Sequence, residues 1–298
     1  MRQPLKERLR KQIRSLNIWK RGGERSPHKP LLVLLALSRV ARGEDRLLRF
    51  REIEEPLKSL LMKYGPSRRS YHPAYPFWRL QQDGFWEVDP SQGLTRRASN
   101  TDPLVSELRA KDVTAGFRSE VYDTLRQDRR FLAETALSLL QGQFPSSLHE
   151  DILCDVGLSI APLAVADARS VEFRRDVIRA YEHRCAVCGY DLKLGEAVDL
   201  GLEAAHIKWR QAGGPDNVTN GLAICAIHHK ALDLGAFCVD DDMRILVSGE
   251  VWGSSWSRDW FMTFHRGTLS SPHSPSLCPN RNFLDWHRSE VFRHPARE

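Results

Sequence analysis

Apolar positions in the first half of the chain recur mostly at helical spacing. Leu5, Leu9, Ile13 and Leu16 fall on one stripe and predict a helix with a single buried face. KPLLVLLALSRVARG (29–43) is apolar on nearly every side, which predicts a buried helix that stops at Gly43. REIEEPLKSLLMKYG (51–65) predicts another, ending at Gly65, with Pro56 near its start. PFWRLQQDGFWEV (76–88) reads as two short aromatic strands around a Gln-Gln-Asp-Gly turn, a hairpin signal. A long helix is expected near 117–141. After a short helix and an irregular stretch, a new unit opens at Ser170, where VEFRRDVIRAYEHRC runs directly into a Cys-x-x-Cys knuckle. The pattern predicts an α+β protein. A mainly helical domain with a small β-hairpin spans 1–145, a linker 146–169, and a second domain 170–298.

Composition narrows the class. The chain has 298 residues, 41% hydrophobic and 28% charged, enough for two domains that each bury a core. Its longest apolar run, PLLVLLAL, is too short to span a bilayer, so no membrane partner is expected. The N-terminus is polar and basic with no apolar signal region behind it, and a cytoplasmic protein is the expectation. Net charge is +6, but residues 1–30 alone carry ten Lys/Arg against Glu7 and Glu24. On an amphipathic helix those cations should line the exposed face, where they would suit nucleic acid.

The cysteines point to a metal. Cys185-x-x-Cys188 is followed, 36 residues later, by Cys225-x-x-His228. Paired S/N donors at this spacing supply the four tetrahedral ligands of structural Zn2+. His228 is followed directly by His229, and helical neighbours point about 100° apart. The two histidines can hardly serve one ligand from one direction.

His206, Asn220 fourteen residues on, and His229 nine further resemble the HNH nucleases, whose ββα-metal fold holds one catalytic cation. The resemblance covers about 170–295 and extends to a Trp286-His287…Val291-Phe292 tail. It implies His206 as general base, Asn220 as the residue that fixes the loop, and His229 as a ligand of catalytic Mn2+ or Mg2+. Many relatives carry Asp or His immediately before the base, where this chain has Ala205. Strand alternation puts Glu203 on the same face as position 205, so Glu203 is the candidate replacement ligand. Asp216 and Asp233 are rival carboxylates, with structural or solvated roles expected.

SRRSYHPAYPFWRL (67–80) contains two ring-Pro steps that stiffen a ring-lined surface flanked by Arg68 and Arg69. This stretch resembles the sulfur-binding domains of McrA-like, phosphorothioate-dependent type IV restriction endonucleases. The resemblance implies a shallow apolar cavity drawn from Tyr71, His72, Pro73, Tyr75 and Pro76. His28, Lys29, Arg69 and Arg97 are the matching candidates for gripping phosphate. It implies double-stranded, phosphorothioated DNA as partner, and cutting both strands implies a homodimer. Two alternatives stay open. One is an HNH endonuclease that reads a methylated base on Trp78, Phe85 and Trp86. The other is a zinc-containing DNA-binding protein without catalysis, which would not need His206 or His229.

Overall fold

The computed structural model describes residues 2–16, 27–66, 68–90, 93–97, 102–160, 168–195 and 198–298. They divide into two compact units, the first ending before 161 and the second beginning after 167. Lys20, Arg21 and Arg25 of the basic segment lie outside the described residues, as do 161–167 of the expected linker.

The first unit opens with α1 (Arg2–Arg14) and α2 (His28–Arg42). Leu31 to Leu34 and Leu37 of α2 have no exposed surface, as expected for a helix that is apolar all round. Gly43 ends it at φ 75°, the left-handed conformation that returns N–H groups to the last carbonyls. Next come β1 (Leu47–Arg49), α3 (Phe50–Tyr64), α4 (Ala74–Arg79), a 3-10 turn (Leu80–Asp83) and β2 (Trp86–Asp89). Then follow α5 (Val105–Ala110), β3 (Thr114–Phe117), α6 (Ser119–Gln127), α7 (Arg129–Gln143) and α8 (His149–Val156). The strands form one antiparallel sheet in the order β1-β3-β2. α2 packs against α3, α4, α6, α7 and α8.

The expected hairpin over 76–88 is absent. Pro73 and Pro76 fall at the start of a helix, where the missing N–H costs nothing, and Phe77 and Leu80 bury its inner face. Only the second half becomes a strand, and it pairs with β3. The long helix expected near 117–141 is likewise divided. Asp128 breaks it by accepting a hydrogen bond from the Phe131 N–H, which caps α7. Residues 146–156, placed from sequence in the linker, carry the short helix expected there, and Leu148, Ile152 and Val156 are buried. Their spacing of four is a helical stripe, which holds this segment in the first unit.

The basic face of α1 is partly matched. Lys6 meets Asp128 at 2.5 Å, Arg8 meets Glu120 at 2.5 Å, and Arg10 meets Glu134 at 3.0 Å. Lys11 and Arg14 stay exposed, so the cationic face expected from sequence is narrowed rather than lost.

The second unit begins with α9 (Ala168–Ala180) and the two-stranded sheet β4 (Lys193–Leu194) and β5 (Val198–Asp199). β6 (Leu202–His206) and β7 (Gly221–Cys225) pair antiparallel, with His206 opposite Gly221, and lead into α10 (Ala226–Asp233). β7, buried along its whole length, lies between Asn220 and α10. β8 (Phe237–Val239), β9 (Ile245–Val247), α11 (Ser255–Met262) and α12 (Arg281–Glu290) complete the unit. The Trp-His tail lies on α12, where the buried His287 ring nitrogen hydrogen-bonds the Leu232 carbonyl at 3.0 Å. At Gly235, a Cβ would sit 2.0 Å from the Val291 carbonyl oxygen, so the tail can close over the end of α10 only there.

Candidate functional site

The adjacent histidines of α10 enter different clusters. His228 is fully buried with its Nδ1 3.1 Å from Cys225 Sγ and 3.7 Å from Cys185 Sγ. The donor atoms of Cys185, Cys188, Cys225 and His228 all lie within 4.8 Å of one another, close enough to share one metal ion. The knuckle is placed by the backbone. Ala186 N–H bonds the Ala223 carbonyl at 2.8 Å, tying it to β7, and Gly189 N–H turns back to Cys185 O at 2.8 Å. Hydrogen bonds within the cluster lower the Cys185 pKa and raise that of Cys188, so the closely spaced thiols share their protons unequally. Trp260, Phe261 and Phe264 ring the His228 imidazole, with centroids 5.5, 5.7 and 5.2 Å away.

His229 turns the other way. Its Nδ1 is 2.6 Å from Glu203 Oε2 and its Nε2 is 3.2 Å from Asp233 Oδ2. Burial alone would lower its pKa, but the two carboxylates outweigh that and push it up to about 10. This is a strongly cation-seeking pocket. Sequence reasoning placed Glu203 here but set Asp233 aside. The signal was available, because residues four apart on a helix share a face.

His206, at the end of β6, stacks on Phe173 of α9, with centroids 3.9 Å apart and planes 12° apart. Its Nε2 lies 2.9 Å from Asp216 Oδ1, which is also 3.4 Å from Arg210 Nε. Burial lowers the His206 pKa and Asp216 opposes the shift, so the ring is poised neutral near pH 7. Nothing local in the sequence pairs 206 with 216. The intervening loop is fixed by Asn220, fully buried between strand and loop. Its Nδ2 donates to the Lys208 carbonyl at 2.9 Å and the Pro215 carbonyl at 3.0 Å, and its Oδ1 accepts from Lys208 N–H at 2.9 Å. Gly214 permits this closure, since a Cβ there would fall 1.8 Å from the Lys208 oxygen.

In the first unit, the ring-Pro stretch forms the start of α4. His72 is exposed, Tyr71 and Tyr75 are half-buried, and Pro73 and Pro76 are buried beneath them. The His72 and Tyr75 rings lie 4.9 Å apart, and the Tyr71 hydroxyl accepts from Arg68 N–H at 3.3 Å. The exposed rings are therefore Tyr71, His72 and Tyr75, with the prolines as their floor. Arg79 was missed from sequence. Its guanidinium covers the Tyr75 ring at 4.7 Å and is held by Asp102 through Nη2 at 2.5 Å. Arg96 covers Trp78 at 4.1 Å.

The expected phosphate contacts divide. Arg69 is exposed and Arg97 half-buried, but Lys29 is buried and paired with Asp83 at 2.5 Å. Lys29 cannot present its charge to a phosphate without breaking that pair, which corrects the sequence expectation. His28 is held down to a pKa of about 4, first by burial and then by the positive charges of Arg68, His72 and Arg79. In the unfolded chain it titrates near 6.5, so between these values the unfolded state binds more protons. Its contribution is fully present above pH 6.5 and is lost as pH falls toward 4, by up to about 3 kcal/mol. Urea unfolding at pH 7 and pH 4.5 should show a smaller acid loss in His28→Gln than in the native chain. Equal losses in the two would refute this.

Comparison with known proteins gives two family matches. A model of ScoMcrA-like DNA sulfur-binding domains matches residues 6–161, and an HNH endonuclease model matches 185–240. No curated protein matches the chain. Among solved structures, the sulfur-binding domain of ScoMcrA complexed with phosphorothioated DNA is 26% identical, covering 50% of this chain and 94% of that one (TM-score 0.44). The sulfur-binding domain of SprMcrA complexed with phosphorothioated DNA is 24% identical, covering 51% and 94% (TM-score 0.42). The type IV phosphorothioation-dependent restriction endonuclease ScoMcrA is 24% identical, covering 58% of this chain but 33% of that one (TM-score 0.42). The chain thus spans about a third of that enzyme's length.

Proposed function

The chain belongs to the family of ScoMcrA-like DNA sulfur-binding domains and carries an HNH endonuclease domain beside it, and from that premise we propose that it cleaves duplex DNA near a phosphorothioate. The observation that carries the proposal is one chain joining a sulfur-domain match at 6–161 to a His206–Asn220–His229 constellation on a β6-β7-α10 element. The first unit, about 1–145 with the helical residues that follow it, recognises the modified backbone. The second, from about 170, hydrolyses the phosphodiester.

Tyr71, His72 and Tyr75, over Pro73 and Pro76, receive the sulfur. Burying roughly 30 Å² of it gains under about 1 kcal/mol. An oxygen in the same place would lose its water and leave an acceptor unsatisfied, at about 1–3 kcal/mol. Selectivity therefore comes mainly from rejecting oxygen. Arg69, Arg97 and the cluster of His28, His72 and Arg68 hold the flanking phosphates.

In the second unit, the soft donors Cys185, Cys188, Cys225 and His228 suit a structural Zn2+. Glu203 and Asp233 flank opposite ring nitrogens of His229, so a Mg2+ or Mn2+ would be held by His229 together with one of the two carboxylates. When bound, that cation offsets charge on the scissile phosphate and leaving oxygen. His206 accepts the proton of the attacking water, and Asn220 keeps its loop in place. Cutting both strands calls for two such sites, supplied by a second copy of the chain.

The methylated-base alternative is disfavoured by burial. Trp78, Phe85 and Trp86, the rings on which a flipped base would stack, are 7%, 0% and 0% exposed. Competition binding with matched duplexes tests the sulfur reading. The whole chain should prefer the phosphorothioated duplex by roughly 5- to 150-fold, and Tyr75→Ala should shrink that ratio. Equal affinities would refute it.

A further inference from the structure

The nuclease reading names His206 as base but leaves open which ring nitrogen does the work and what holds the ring. The surroundings of His206 answer both. One face is covered by Phe173 in a stack only 12° from parallel, so the ring cannot tilt toward α9. Its Nε2 edge is occupied by Asp216 Oδ1 at 2.9 Å. Among the described residues no hydrogen bond reaches Nδ1, and that atom is not among the buried unpartnered ones, so it opens to solvent.

We propose that Asp216 is the positioning residue of the nuclease, fixing His206 as the Nε2–H tautomer so that Nδ1 is the nitrogen that takes the proton from water. The inference rests on the proposed hydrolysis. A carboxylate has no hydrogen to give, so a 2.9 Å contact with a neutral imidazole requires the hydrogen on Nε2. The lone pair is then on Nδ1, at the open edge. When Nδ1 gains a proton, the positive ring remains beside Asp216, which stabilises it.

The placement of Asp216 is itself built. It sits on the loop that Asn220 ties to Lys208 and Pro215, its neighbour in sequence, through contacts of 2.9 and 3.0 Å. Arg210, from the same loop, approaches Asp216 at 3.4 Å and helps hold it beside the ring. Asn220 therefore acts on the base through the loop and its carboxylate. This gives a physical content to an asparagine that touches no part of His206 itself.

The test uses the full chain labelled with 15N-histidine, with native protein, Asp216→Asn and Asp216→Glu. At pH 7.5, the native His206 ring should show a protonated Nε2 and an unprotonated Nδ1. Asp216→Asn can donate as well as accept, so the tautomer preference should weaken or reverse. Its kcat on the cleaved duplex should fall at least about tenfold, with KM within twofold. Asp216→Glu should recover part of the loss. A native spectrum with hydrogen on Nδ1 would overturn the proposal, as would an Asp216→Asn kcat within twofold of native. The spectrum needs no substrate, so it decides the tautomer separately. A native chain that cuts no duplex would overturn the nuclease reading and the base role with it.

Discussion

Replacing His206 with alanine is expected to lower the rate of DNA cleavage by about 10²–10⁴-fold, the usual contribution of a positioned general base. DNA affinity should stay close to native, because in the proposed scheme His206 meets the water rather than the sulfur or the phosphates of the first unit. His206 is held between Phe173 and Asp216 with a fifth of its side chain exposed, as a ring that exchanges protons with water must be. Single-turnover cleavage alongside equilibrium binding separates the two effects. A variant that binds normally and cuts at the native rate would remove His206 from the mechanism and favour a zinc-stabilised binding protein.

Loss of the four-ligand cluster is expected to unfold the second unit. Cys185 and His228 have no exposed surface and Cys225 has 7%, so three of the four candidate donors are also core residues. Three rings from α11 and the turn after it, Trp260, Phe261 and Phe264, pack around the His228 imidazole, and α11 contributes no buried residue of its own. Binding a structural zinc supplies about 10–16 kcal/mol, comparable to or above the whole stability of a typical domain. Cys225→Ser, or prolonged chelation, should abolish the cooperative thermal transition of the second unit and all cleavage. The first unit should keep its own transition and its binding of phosphorothioated duplex. Retention of both transitions after verified metal removal would show that the cluster does not hold the fold.

Much of this arrangement was legible from residue types and spacing. α2 and α3 were announced by apolar patterns that ended at Gly43 and Gly65, and α2 by being apolar on all sides. That His228 and His229 would not share one ligand followed from the helical angle between neighbours, and the structure sends them into separate clusters. Other features needed the third dimension. The aromatic run 76–88 has the composition of a hairpin, but Pro73 and Pro76 start a helix there and β2 finds its partner in β3, with paired residues 25 to 31 positions apart in sequence. Lys6, Arg8 and Arg10 of α1 looked available for DNA until carboxylates more than 100 residues away were brought beside them. Lys29 met the same fate with Asp83. Charge counted along a sequence overestimates charge available to a partner whenever folding supplies its own anions.

The two side-chain clusters around His228 and His229 show the same contrast. The Cys/His set was readable because its ligands come in fixed pairs. The second was half-readable: Glu203 from strand alternation, Asp233 from an i,i+4 spacing that was not used. Asp216 reaches His206 only because Asn220 and Gly214 fold the loop back, a closure no local pattern announces.

The central claim is that one chain couples sulfur recognition to HNH hydrolysis. The most direct measurement incubates it with matched duplexes that are phosphorothioated, cytosine-methylated or unmodified, with Mn2+ or Mg2+, beside His206→Ala. Cleavage of the phosphorothioated duplex alone, lost in the variant, is the predicted result. Cleavage of the methylated or unmodified duplex at an equal rate, or metal-dependent cleavage that survives in His206→Ala, would contradict it.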